Sequence, residues 1–207
     1  AVTAAMDTYG WRKLDYVALT HYHEDHAGGL PDLLARVEAD RLLLPQLLSG
    51  EQAELQREVL SLAEQYGMPV TYVEERTELE LGQARLTVYP PVGEGGGNEE
   101  GLAVLAAVGE LDLLVTGDMD RMTERQLLAA YRLPDLEILI AGHHGSRYST
   151  SEELLEALQP ETACVSVGSN SYGHPSEEVL ERLARQGCVV WRTDLHGTVH
   201  LSLNREK

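Results

Sequence analysis

Apolar and polar positions along the chain switch between two periods, and the switches mark its elements. Short apolar runs that stop at polar residues predict buried strands at LDYVALT (14–20), RLLLP (41–45), MPVTYVEE (68–75), ARLTVYPP (84–91), DLEILIAG (135–142) and ACVSVG (163–168). LAVLAAV (102–108) and LDLLVTGD (111–118), parted by Gly109-Glu110, predict a hairpin, and VVWRT with GTVHLSL predicts a second one at the end of the chain. Apolar residues at three- and four-residue spacing predict helices over 28–37, 51–67, 121–131, 151–158 and 175–187, with Gly67 and Gly187 as stops and a further helix before LDYVALT. Alternating helices and strands, several paired by short turns, predict an α/β fold of mixed sheets covered by helices, in one domain over residues 1–207. The polar clusters THYHEDH, TGDMD, GHHGS and SNSYGHP each follow an apolar run, and strand ends are where layered α/β folds gather their sites.

Composition narrows the classes. At 207 residues and 43% hydrophobic, the chain can bury a full core. No run approaches the roughly 18–20 apolar residues of a membrane span, and the start lacks a signal-peptide pattern, so the chain as given reads as soluble. The net charge of −18 argues against a broad DNA-binding surface. Part of it is local: residues 51–100 carry 11 Glu against 3 Arg, on what reads as a solvated helix and loop. Cys164 and Cys188 fall in apolar stretches and read as small core residues, so a metal here is held by nitrogen and oxygen.

His21, His23, Asp25 and His26 alternate too quickly for one helix face and fit a tight loop whose side chains converge. Two first-row metals need about that many ligands from a single loop, with His21 and His23 on one ion and Asp25 and His26 on the other. Asp118, after Gly117 at the end of a buried run, would be costly unless it met a cation or donors; Asp120 is better placed to cap helix 121–131. His143 and His144 end the strand EILIAG, and neighbours on an extended chain point opposite ways, so one faces the site. We take His143 as the ligand and His144 as its neighbour. Gly145 and Ser146 could approach an anionic oxygen. His174 stands before a proline-started helix whose free amides favour an anion. His196 and His200 read as ordinary strand or turn residues.

HYHEDHAGGLP, TGDMD, GHHGSRYSTSEELLEALQP, SNSYGHPSEEVLERL and TDLHGTV, in this order, resemble the metallo-β-lactamase superfamily, and within it the C-terminal domain of the ComEC/Rec2 competence family. The resemblance covers about Trp11 to Leu203. It implies an αββα sandwich with metals at one edge, and it matches His21, His23, Asp25, His26, Asp118 and His143 to ligand motifs, with Asp118 bridging. The histidine that many relatives place between the first motif and TGD has no counterpart here, so the first ion is either under-coordinated or takes Asn98, His174 or water as its extra ligand. The D-V-G-Q-G-D stretch and hairpin that open the branch are not in this sequence, so one sheet is expected to lack its N-terminal strands and to need an edge covered.

The activity this implies is hydrolysis dependent on two divalent ions, Mn²⁺ or Zn²⁺ with a lean to manganese, acting as a nuclease on single-stranded DNA during uptake. Asp25, His174 and His144 are then the catalytic candidates, and Ser146, Arg147, Ser149 and Asn170 the substrate contacts. The implied partners are single-stranded DNA and a membrane channel, in the same or a partner polypeptide, with this chain a soluble domain of a bacterial membrane protein. Two alternatives stand beside it: a stand-alone hydrolase of a small ester, lactone or cyclic phosphate, which the acidic surface favours, and a non-catalytic docking domain of a DNA channel.

Overall fold

The computed structural model describes residues 2–46, 52–93 and 101–201, and its contacts divide the chain into two units. The first holds the residues up to Val104 together with Thr116–Asp118; the second holds Leu105–Val115 and the residues from Met119 onward.

In the first unit the order is α1 (Val2–Tyr9), β1 (Lys13–Leu14), β2 (Val17–Ala18), α2 (Glu24–Ala27), α3 (Leu30–Leu34), β3 (Glu38–Ala39), β4 (Leu42–Leu44), α4 (Ala53–Gln65), β5 (Val70–Tyr72), β6 (Thr77–Leu81), β7 (Ala84–Tyr89) and the start of β8 (Ala103–Val108). Strands β2, β4 and β5 run parallel, with Leu42 opposite Val17 and Val70. A parallel strand is covered on both faces, so its side chains read as a continuous apolar run, and all three leucines of β4 are buried. Leu42 and Leu44 pack with Met6, Leu30, Leu33, Leu34, Val59 and Ala63 from α1, α3 and α4. Leu43, on the other face, packs with Val73, Val88 and Leu102. One strand thus joins a helical layer to a strand layer, as the alternation of side chains requires.

The acidic stretch is not all helix and loop. Thr77–Leu81 forms β6, antiparallel to β7 with Leu79 opposite Leu86. Leu79 faces inward and Glu78 and Glu80 face solvent, a period of two that is visible in TELEL. The helix expected over 28–37 is shorter, ending at Leu34, and Val37 is buried as the chain turns into β3.

In the second unit the rest of β8 is followed by β9 (Leu111–Val115), α5 (Arg121–Ala130), β10 (Ile138–Ile140), α6 (Glu152–Leu158), β11 (Thr162–Val165), α7 (Glu177–Gln186), β12 (Val189–Arg192) and α8 (Thr193–His196). Strands β8 and β9 are neighbours across Gly109, whose φ of +64° suits the two-residue turn. Strands β9, β10, β11 and β12 then run parallel in that order. Leu114, Leu139, Ala163 and Val165 are buried in this sheet, and Leu127, Leu154, Leu158, Val179 and Leu183 on the helices. Asp120, Ser151 and Ser176 cap α5, α6 and α7 by accepting from Thr123, Leu154 and Val179. The fold class is therefore α/β with mixed sheets flanked by helices, as expected. The expected closing hairpin is replaced: after β12 the chain enters the helical turn α8, and residues 197–201 form no strand. Thr193 causes the turn, since its hydroxyl accepts from Val167 N and donates to the Val167 carbonyl. Residues 202–203 of GTVHLSL lie outside the described residues.

A buried carboxylate fixes the loop after β10. Glu124 is fully buried on α5 and accepts hydrogen bonds from the amides of Thr150 (2.6 Å) and Ser151 (2.9 Å). Arg182 donates to the carbonyls of Arg147 and Ser149 in the same loop. Burial pushes the Glu124 carboxyl up to about 7 against the pull of those amides and of Arg182.

Glu124→Ala strands two buried amides and costs about 3 kcal/mol, lowering Tm in a thermal melt by roughly 6–12 °C for a chain of this size. With its folded-state pKa above the ordinary value, Glu124 keeps a proton that the unfolded chain releases. Its stabilising contribution is therefore full below pH ~4.5 and lost as pH rises through about 7; denaturant melts across that range should show wild type losing stability relative to Glu124→Gln. Gly117, at φ +59°, has no room for a methyl, which would sit 2.9 Å from Thr20 Cβ, whereas Gly109 at a similar φ meets nothing within 4 Å. Gly117→Ala should depress Tm more than Gly109→Ala does, because only the first adds a clash to the backbone strain.

Candidate metal centre

The loop between β2 and α2 is bolted on both sides. Leu19 N donates to the Leu43 carbonyl and Leu102 N to that of Thr20. Tyr22, buried between two histidines, donates its hydroxyl to the Pro45 carbonyl at 2.6 Å and its amide to Gln52 Oε1 at 2.8 Å. Burial pushes the Tyr22 hydroxyl well above the ordinary tyrosine range. With the backbone held this way, HYHEDH turns inward and then starts α2 at Glu24.

Thr20 sets the rings. Its hydroxyl lies 3.1 Å from His21 Nδ1 and 3.4 Å from His26 Nδ1. The opposite nitrogens then face Asp118: His21 Nε2 is 3.5 Å from Oδ2 and His26 Nε2 is 3.1 Å from Oδ1. Gly117 allows this, since its backbone passes Thr20 too closely for a Cβ. Asp118 is 4% exposed, and Asp120, as expected, is the helix cap. Burial alone would raise the Asp118 carboxyl, but the hydrogen bonds and charges of His21 and His26 together hold it well below the usual range. Burial lowers His21. It opposes the charge on His26 too, yet there Asp118 prevails and the pKa is raised.

These residues fit a metal. Donor atoms of His21, His23 and Asp118 lie within 4.8 Å of one another, and so do those of Asp25, His26 and Asp118. Ligands about 2.0–2.2 Å from a tetrahedral ion are roughly 3.3–3.6 Å apart, so small rotations bring either trio onto one ion. Asp118 belongs to both groups. The donors are nitrogen and oxygen throughout, and the cysteines are buried elsewhere as free thiols.

His143, His144, Ser146, Arg147, Ser149, Asn170 and His174 lie in the second unit. The two adjacent histidines are not extended: they form a tight turn over Gly142–Gly145, with φ of 48° and 54°. The expectation that they alternate like strand residues is corrected by that left-handed backbone, which costs about 1–2 kcal/mol per non-glycine residue. The surroundings compel it. Gly142 N donates to Thr150 Oγ1, Ser146 N to the His143 carbonyl and Ser176 N to that of Gly145. Behind Thr150 stands Glu124, which sequence reasoning missed; its signal was a carboxylate on the same helix face as the buried Leu127.

His144 Nδ1 lies 2.7 Å from the Ser166 carbonyl. Since only an N–H can pair with that oxygen, a neutral His144 carries its lone pair on Nε2. His143 instead lines a cavity with His174, their ring centroids 5.6 Å apart. Ser149 is fully buried beneath the turn, Ser146 is nearly buried but borders that cavity, and Arg147 is exposed. Asn170 spends its carboxamide on the backbone of its own loop: Oδ1 accepts from Tyr172 N and His174 N, and Nδ2 donates to the carbonyls of Gly168 and His174. Asn98 lies outside the described residues.

The chain is 32% identical over 193 residues to ComE operon protein 3 of Bacillus subtilis, covering 92% of this chain and 25% of that one. It is 29% identical to competence protein ComA of Neisseria gonorrhoeae (99% and 27% covered) and 27% identical to recombination protein 2 of Haemophilus influenzae (94% and 23%). It thus spans about a quarter of the length of these relatives. Among solved structures, a metal-dependent hydrolase of the beta-lactamase superfamily superposes with a TM-score of 0.52 at 19% identity (90% and 78% covered). The diiron β-hydroxylase CmlA of Streptomyces venezuelae gives 0.58 at 15% identity (89% and 44%), and both share the fold. A family model described as the metallo-beta-lactamase superfamily matches residues 6–169. Because that match runs through the histidine-rich loop and on past Asp118 and the paired histidines, the chain belongs to the metallo-beta-lactamase superfamily.

Proposed function

We propose that this chain is a two-metal phosphodiesterase that cuts single-stranded DNA in the course of DNA uptake. The observation that carries the hydrolytic reading is one buried carboxylate, Asp118, common to two groups of nitrogen and oxygen donors. The DNA reading draws on the relatives, whose names speak of competence and recombination.

In this reading His21, His23 and Asp118 would hold one divalent ion and Asp25, His26 and Asp118 the other. The motif extends the set to a histidine of the HHGS turn. His144, its tautomer set by Ser166, suits that task better than His143, which reverses the assignment expected from the sequence. Divalent ions at such a site supply Lewis acidity toward a phosphoryl oxygen and lower the pKa of water to roughly 7. Thr20 keeps both imidazoles turned toward Asp118. His174 gives a proton to the departing oxygen of the cut strand, and Asn170 keeps His174 in place. Arg147 pairs with a phosphate of the strand. The membrane channel of this reading rests on the resemblance to the competence family, and this chain covers 25% of the Bacillus subtilis relative. Manganese is the ion to try first, with zinc second.

The net charge of −18 favours a second reading, a hydrolase of a small ester, lactone or cyclic phosphate. The two differ in salt dependence: affinity for a strand falls steeply with ionic strength and affinity for a small ester does not.

Purified protein given Mn²⁺ or Zn²⁺ is expected to cleave labelled single-stranded DNA, and Asp118→Ala to lower turnover at least about a hundredfold. Equal cleavage by wild type and Asp118→Ala sinks the reading. Thr20→Val, which keeps the shape and deletes the hydroxyl, should weaken metal affinity about tenfold to a hundredfold in a competitive chelator titration.

A further inference from the structure

Tyr148 and Tyr172 stand out in the second unit. They are 63% and 83% exposed, in a chain with no phenylalanine and nine tyrosines. Both line one cavity of about 400 Å³, together with His143, Ser146, Arg147 and His174, a volume typical of small-ligand pockets.

Neither ring sits on a loose loop. Asn170 Oδ1 accepts from Tyr172 N at 3.1 Å and from His174 N at 3.0 Å. Tyr148 N donates to Ser146 Oγ, and the Tyr148 carbonyl accepts from Arg121 N at 2.9 Å. The Arg147 carbonyl beside it is gripped by the Arg182 guanidinium. An aromatic side chain on a pinned backbone loses little freedom when a second ring stacks on it. The imidazole of His174 lies 6.1 Å from the Tyr172 ring and nearly parallel to it, and His143 follows 5.6 Å further on, so the aromatic surface leads from solvent to the HHGS turn.

The charges of the cavity choose between parts of a nucleotide. Glu177 and Glu178 also line it, so a phosphate is tolerated there only beside Arg147, while an uncharged ring meets no repulsion. Arg147, whose guanidinium lies 5.5 Å from the Tyr148 ring centroid, offers a cation beside that ring. We propose that this cavity is a nucleobase subsite: one base of a single strand stacks on Tyr172, the next on Tyr148, and Arg147 takes the phosphate between them. The proposal rests on the nuclease reading above and supplies what that reading lacks, a means for an acidic protein to hold a strand by its bases.

The test compares an oligodeoxynucleotide with an abasic strand of the same length, by binding in EDTA and by cleavage with Mn²⁺. Wild type should bind the base-bearing strand about tenfold or more tightly than the abasic one. Tyr172→Ala and Tyr148→Ala should each erase most of that difference, raise KM about tenfold for the base-bearing strand with kcat within about twofold, and leave the abasic strand unaffected. Tyr172→Phe should restore it, and a 2-aminopurine base should lose fluorescence on binding wild type but not Tyr172→Ala. Equal binding of the two strands by wild type, or equal losses on both in the alanine variants, overturns the subsite even if cleavage proceeds. Base-dependent binding without cleavage keeps the subsite and removes the nuclease reading.

Discussion

An ionised carboxylate buried at the end of an apolar strand is the most expensive group in the first unit, and the chain around it is arranged to make it tolerable. Asp118 sits where β9 ends, with two imidazole nitrogens within 3.5 Å. For both to point there, Thr20 must orient both rings from behind, and for Thr20 to be so close, residue 117 must lack a side chain. The fully apolar β4, the anchored Tyr22 and the bond from Leu102 to Thr20 all hold this one constellation in register.

The second unit solves a different problem with similar means. Its HHGS turn needs backbone conformations that non-glycine residues resist, and the resistance is overcome by a buried acid–amide network reaching back to Glu124 and Arg182. That support comes from α5 and α7, so a loop of a few residues depends on helices far from it in sequence.

Much of this was legible before any coordinates. The period of two or of three to four placed most strands and helices, because burial on one face is a local property of the sequence. The HxHxDH run and Asp118 could be read as converging, since polar side chains at the end of an apolar run must find partners in one another or in a cation. Asp120 rather than Asp118 proved to be the cap. What escaped reading was tertiary in origin. The left-handed turn of His143 and His144 is imposed by Thr150, Ser146 and Ser176, none of which signals a positive φ at those positions. Glu124 shares a helix face with Leu127, but only the packing of α5 closes that face over a carboxylate. The alternation of TELEL is the same that a solvated glutamate-rich segment can show, and only its pairing with β7 makes it a strand.

Tyr22 carries a last consequence. It is the one residue of HYHEDH whose task is wholly internal, and its hydroxyl, pushed up by burial, keeps its proton at any pH the protein will meet. The loop is therefore fastened by a group that takes no part in holding a ligand, and its course is set by Pro45 and Gln52 rather than by whatever the histidines meet. The wall of the site is in that sense a mould, shaped before anything fills it.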